Sequence, residues 1–170
     1  MLGPRGATVA GMVAEPLVIE FEEHERAAVV KRMITMATNG EGWINLTPGL
    51  DVDFTPIQSL TSRLFGARGP DVPLATWAPA PTSGKEPSTI GIQHGGGTRI
   101  VERLTELGAP VPEGWHKVQD HPKRGLVLAL PPTTDELDLD RTLEWLLRAT
   151  RTLTPLPRTG EWRAICYKAI

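Results

Sequence analysis

Residues Ser88 to Gly108, STIGIQHGGGTRIVERLTELG, constrain the fold more than any other part of the chain. Thr89 to Gln93 reads as a short strand, three glycines follow His94, and an amphipathic helix opens at Thr98 and closes before Gly108. A strand that turns directly into a helix demands a mixed α and β architecture. It also sets the outward-pointing amides of a helix start, with their partial positive charge, beside a turn without Cβ atoms. Those are the parts from which anion sites are made.

The flanking sequence continues the alternation. Pro16 to Phe21 begins the structured region, and Ala27, Val30, Ile34 and Ala37 recur at helical spacing, predicting a helix from about Glu22 to Thr38 that stops at Asn39-Gly40. Gly42 to Thr47 reads as a strand. Thr55-Pro56-Ile57-Gln58 combines an N-cap, proline at the first helical position and a capping glutamine, opening a second helix to Gly66. Val72 to Ala78 reads as a strand that Pro73 and Pro79 confine to a sheet edge, followed by a surface loop over Pro79 to Pro87. Trp115 to His121 and Leu126 to Leu130 flank Pro122-Lys123-Arg124-Gly125 and form a hairpin. Because LVLAL does not alternate, its strand is expected to be buried on both faces. Thr133 and Glu136 suit a capping box, and Leu139, Leu143, Leu146, Leu147, Thr150 and Leu153 make one helical stripe that Pro155 and Pro157 end. Glu161 to Lys168 is the last strand, with Trp162, Ala164 and Cys166 on one face.

Glycine and tryptophan punctuate these elements. Gly42-Trp43, Gly114-Trp115 and Gly160-Glu161-Trp162 each stand between a helix and the next strand, where a ring is expected to bury over the helix–sheet seam. The expected architecture is α+β: a single domain, residues 16–170, with a mixed, mainly antiparallel sheet of about five or six strands and four helices packed chiefly on one side. Residues 1–15 are expected to be a disordered N-terminal segment, and Met12 is an alternative start.

Composition narrows the partners. A chain of 170 residues with 40% hydrophobic content builds its core without a disulfide or metal staple. The net charge of -2 and pI near 6.1 argue against nucleic acid, although Arg141, Arg148, Arg151, Arg158, Arg163 and Lys168 make the C-terminal segment locally basic. No apolar run has the length to span a bilayer, so no membrane partner is expected. The lone Cys166 signals no oxidising compartment, and a cytoplasmic, soluble protein is the expectation.

The candidate chemistry gathers near the glycine turn. G-x-G-x-x-G is absent, and the turn lacks the P-loop's closing Lys-Ser/Thr. His94-Gly95-Gly96-Gly97 matches the oxyanion loop of lipases and esterases, but no G-x-S-x-G nucleophile elbow accompanies it. Gln93-His94-Gly95-Gly96-Gly97-Thr98 resembles the pyrophosphate-binding loop of the GNAT acyltransferases, Q/R-x-x-G-x-G/A between a strand and a helix, from which Thr98 departs. The resemblance covers Thr89 to Gly108 and implies that Gly95, Gly96, Gly97 and Thr98 hold the pyrophosphate of an acyl-CoA. It ends at the Pro122–Gly125 hairpin, where that family has another helix.

His94, Asp120 and His121 are the candidate catalytic residues: a base, an orienting carboxylate and a second proton carrier, if the strand ending at His94 neighbours the hairpin. Simple alternation puts His116 and Asp120 on one face of their strand and His121 on the other. His24-Glu25 begins like H-E-x-x-H, but Ala28 takes the second ligand position, so no metal site is expected. Cys166 reads as a buried, inert thiol. Lys123 and Arg124 project from the hairpin tip, open to an anionic partner.

Two functional expectations follow. The first is a non-catalytic binding protein, without a cofactor, that takes a small anionic ligand at the Gly95–Thr98 turn or a protein partner; a homo-oligomer is compatible with it. The second is an acyl-CoA-dependent acyltransferase or another small enzyme using His94, Asp120 and His121.

Overall fold

The computed structural model describes residues 15–51 and 72–168. The strands are β1 (Leu17–Glu22), β2 (Trp43–Leu50), β3 (Leu74–Ala78), β4 (Ser88–Gln93), β5 (His116–His121), β6 (Gly125–Leu130) and β7 (Arg158–Tyr167). The helices are α1 (Ala27–Asn39), α2 (Ile100–Glu106) and α3 (Glu136–Leu153), and a 3-10 turn, Glu23–Glu25, precedes α1. The class is α+β, but the sheet has seven strands and is antiparallel throughout, in the order β1-β7-β2-β3-β4-β6-β5. The expected five or six strands fell short because the first and last strands pair with each other. The chain ends thereby extend the sheet beyond its central hairpins. Three helices are present among the described residues; the helix expected from Thr55, and all but Glu15 of the segment expected to be disordered over residues 1–15, lie outside them.

One face of the sheet carries the core. Ile44, Leu46, Trp77, Ile90, Ile92, Leu126 and Leu128 are buried at alternate positions, against Val29, Val30, Met33 and Met36 of α1 and the stripe of α3 from Leu139 to Leu153. Burying a side chain of leucine size is worth roughly 1.5–3 kcal/mol, so this face dominates the stability. The helices hold their ends differently. The Gly40 amide, at φ 64°, closes α1 by donating to the Met36 carbonyl. Asp135 caps α3, its Oδ1 accepting from the Leu137 and Asp138 amides at 3.0 and 3.1 Å. Asp135 therefore takes the position that Thr133 was expected to fill, while the Thr133 hydroxyl accepts from the Asp135 amide.

Four local expectations change. β3 is a central strand between β2 and β4, because Pro73 and Pro79 fall just outside Leu74–Ala78 and interrupt no ladder bond. β6 does alternate: Leu126, Leu128 and Leu130 are buried while Val127 and Ala129 are half-buried. The first helix opens at Ala27, after the 3-10 turn, rather than at Glu22. Of the three glycine-linked tryptophans, Trp162 is buried and donates to Glu23, and the half-buried Trp115 meets Trp145 edge-on at 5.1 Å. Trp43 instead lies on the opposite face of the sheet, 38% exposed and stacked on Tyr167 at 4.9 Å.

Candidate functional site

The junction of β4, α2 and β5 contains most of the expected site residues, and the fold itself uses several of their polar groups. His94 follows Gln93 at the end of β4, so it continues the helix-side row of Ile90 and Ile92 and is only 1% exposed. Its Nδ1 accepts from the Gly96 amide at 3.2 Å, which leaves the ring proton on Nε2. The turn closes tightly. Arg103 donates to the Gly96 carbonyl at 3.1 Å, and a Cβ at Gly96 would stand 2.7 Å from Ile100 Cδ1. Gly97 takes φ 88° and Arg99 takes φ 56°, so the chain enters α2 through two left-handed residues. Helix α2 therefore begins at Ile100 with Arg99 at its N-cap, and Thr98, expected to open the helix, lies exposed outside it.

Asp120 supplies the missing cap from another element. Its Oδ2 accepts from the Val101 amide at 3.3 Å, placing a carboxylate at the positive end of α2. A β-bulge makes this reach possible. The register of β5 against β6 shifts between Lys117 and Gln119, leaving Val118 unpaired, so His116 pairs with Ala129 while Asp120 pairs with Leu126. One extra residue inverts the alternation beyond it. His116 thus lies on the face that carries no helix among the described residues and Asp120 on the helix side, whereas simple alternation put the two together.

The same register carries His121 to the far face, opposite Gly125. There its Nδ1 accepts from the Lys123 and Arg124 amides at 3.1 and 3.3 Å and holds the hairpin turn. The structure thus brings His94 and Asp120 to one side of the sheet and puts His121 on the other. Burial pulls the His94 pKa below its ordinary value; the nearby Asp120 carboxylate opposes this and Arg103 reinforces it. The imidazole is therefore held neutral. His94 Nε2 and Asp120 Oδ1 are both buried without a hydrogen-bond partner, a donor and an acceptor sealed from solvent.

For an anion, the turn has lost two of its donors. The Gly96 amide is spent on His94 and the Val101 amide on Asp120, whose carboxylate stands at the same helix start. Sequence reasoning missed Arg103 and the bulge. The position of Arg103, one helical turn beyond Arg99, was a usable signal; nothing local marks the bulge. Elsewhere, burial raises the Cys166 thiol pKa, with Arg32 opposing. Among the described residues no group of three histidine, cysteine, aspartate or glutamate side chains could hold a metal ion, and no helix is long and apolar enough to cross a membrane. A groove of about 480 Å³ lies at the other end of the sheet, where Glu20, Thr47, Leu50, Glu161 and Arg163 line it.

The fold and this junction define an α+β protein with an antiparallel sheet covered on one face by helices. No family model, curated protein or solved structure matches the chain.

Proposed function

We propose that the protein is a non-catalytic binding module that docks a partner protein on the face of its sheet that carries no helix among the described residues. The observation that carries this reading is the stacked pair Trp43–Tyr167, which stands partly exposed on that face. Register places Val18, Ile165, Asn45, Thr76, Gly91 and Val127 in one row beside it. Val18, Ile165, Gly91 and Val127 flank the hydrogen-bonded pair Asn45–Thr76 along the row, with the aromatic pair beside it, a composition suited to protein contact. The sealing of His94 Nε2 and Asp120 Oδ1 supports the same reading, because a general acid or base must reach the proton it transfers.

Photo-cross-linking tests the surface. A benzoylphenylalanine placed at Thr76 should give a protein adduct in the native host, whereas one at the exposed Arg141, on the helix layer, should not. Absence of an adduct from Thr76, or equal adducts from both, overturns the proposal. A thermal-shift series with CoA thioesters and phosphate should show no stabilisation, where a ligand at 100 times its Kd would add about 2.7 kcal/mol. A CoA shift abolished by Gly96→Val would return the function to the glycine turn.

A further inference from the structure

The two edges of the sheet are built differently. At one edge β5 carries the bulge at Val118, with Lys117 beside it and Pro122 directly after its last residue, devices that discourage another strand from pairing. At the other edge β1 pairs with β7 residue for residue from Leu17 to Glu22, without a bulge or a lysine, and with Pro16 directly before its first residue. Among the described residues, no strand lies on its outer side. Leu17 and Val18 on it are 49% and 48% exposed.

We propose that a second copy of this chain pairs antiparallel with β1 about a two-fold axis, with Val18 opposite Val18 of the partner subunit, joining the two sheets into one. Residues directly opposite in an antiparallel pair point to the same side, so only registers that match like-facing residues preserve the core face. Centring on Val18 sets Leu17 against the partner's Ile19 on the helix side and Val18 against Val18 of the partner subunit on the other. Glu20 then lies opposite the partner's Pro16, so no carboxylate faces another, and Glu20 is already bound to Arg163 at 2.8 Å. Centring on Ile19 would set each Val18 against a glutamate, and centring on Glu20 would oppose two carboxylates. Of these three registers, only the one centred on Val18 keeps the valine from a glutamate and the carboxylates apart. A strand complementary to itself in both respects fits an isologous contact, the commonest kind between identical chains. The pairing uses the β1 edge; Val18 also stands in the row of the proposed docking face, so the two are told apart on the unaltered Val18 chain, by its mass and by its Thr76 cross-link.

Sedimentation velocity tests it. The mass should rise from 18.5 kDa toward twice that value over a concentration series of about two decades, as mass action requires. Val18→Glu and Val18→Lys should each stay at 18.5 kDa, and their equimolar mixture should regain the doubled mass, because opposite charges then meet across the axis. Amide exchange at Ile19 to Phe21 of the unaltered chain, slowing as concentration rises, gives a reading that needs no variant. Wild-type protein at 18.5 kDa throughout, a doubled mass kept by Val18→Glu, or a mixture that stays single overturns the pairing. The Thr76 cross-link is read with Val18 intact, so it can fail or succeed separately from the pairing.

Discussion

Two polar junctions hold the helix layer in place, and they do so by opposite means. At the start of α1, Arg26 lies between helices: its Nε and Nη2 donate to the two Asp140 oxygens at 2.7 and 2.8 Å, and Glu144 stands 3.6 Å away. These carboxylates strengthen its charged state. Every strong group there has a partner, and the side chain is 23% exposed. At the start of α2, His94 and Asp120 are drawn from β4 and β5, each with one atom bonded and one buried without a partner. The first junction is a satisfied ion pair near water, of modest worth because water competes for it. The second is sparsely bonded but dry, so each bond it does make is costly to lose.

Several substitutions sharpen or break this contrast. The largest effect is expected from Asp120→Ala, which uncaps Val101 and removes the carboxylate whose charge acts on the buried His94; a loss of about 2–3 kcal/mol in urea unfolding is expected. Asp120→Asn, which keeps an acceptor for Val101, should recover part of it. Gly96→Ala comes next. Its Cβ would meet Ile100 Cδ1 at 2.7 Å, and overpacking of this kind costs about 1–3 kcal/mol, seen as a lower urea midpoint with an unchanged slope. Arg26→Met should cost about 1 kcal/mol or less, measured in a double-mutant cycle with Asp140→Leu. A loss matching that of Asp120→Ala would erase the difference between the junctions.

The mildest effect is in pH. Because the native His94 pKa lies below its ordinary 6.5, the unfolded chain binds more protons in the window beneath 6.5. Stability should thus be full above pH 6.5, decline as pH falls through that window, and level off below the native pKa. The slope is at most about 1.4 kcal/mol per pH unit. Protonation would also set an Nδ1 proton against the Gly96 amide that it now accepts from. His94→Gln should flatten the profile in this window, while Arg26→Met should leave its shape unchanged. A profile equally steep in His94→Gln would detach the effect from this junction.

Much of the fold was legible in the chain. The stripe from Leu139 to Leu153, the stop at Gly40, the Pro122–Gly125 hairpin and the strand–glycine–helix order all appear where the sequence puts them, because each depends on residues within one or two turns of one another. The candidate site was legible only in part. His94 follows β4 as expected, but its neighbours depend on the register of β5, and a bulge at an exposed valine has no local signature. Pro73 and Pro79 misled for a related reason: whether a proline breaks a ladder depends on where the strand ends, which its neighbours decide.

The sequence by itself determined the α+β class, the helix stripes and the turns, since periodicity, capping and glycine conformations are short-range properties of the chain. Tertiary structure alone decided that β1 closes onto β7, that β3 is central, and that Asp120 rather than Thr98 serves the start of α2. Those outcomes rest on backbone pairing and desolvation between segments far apart in sequence, with Asp120 reaching Val101 from 19 residues away.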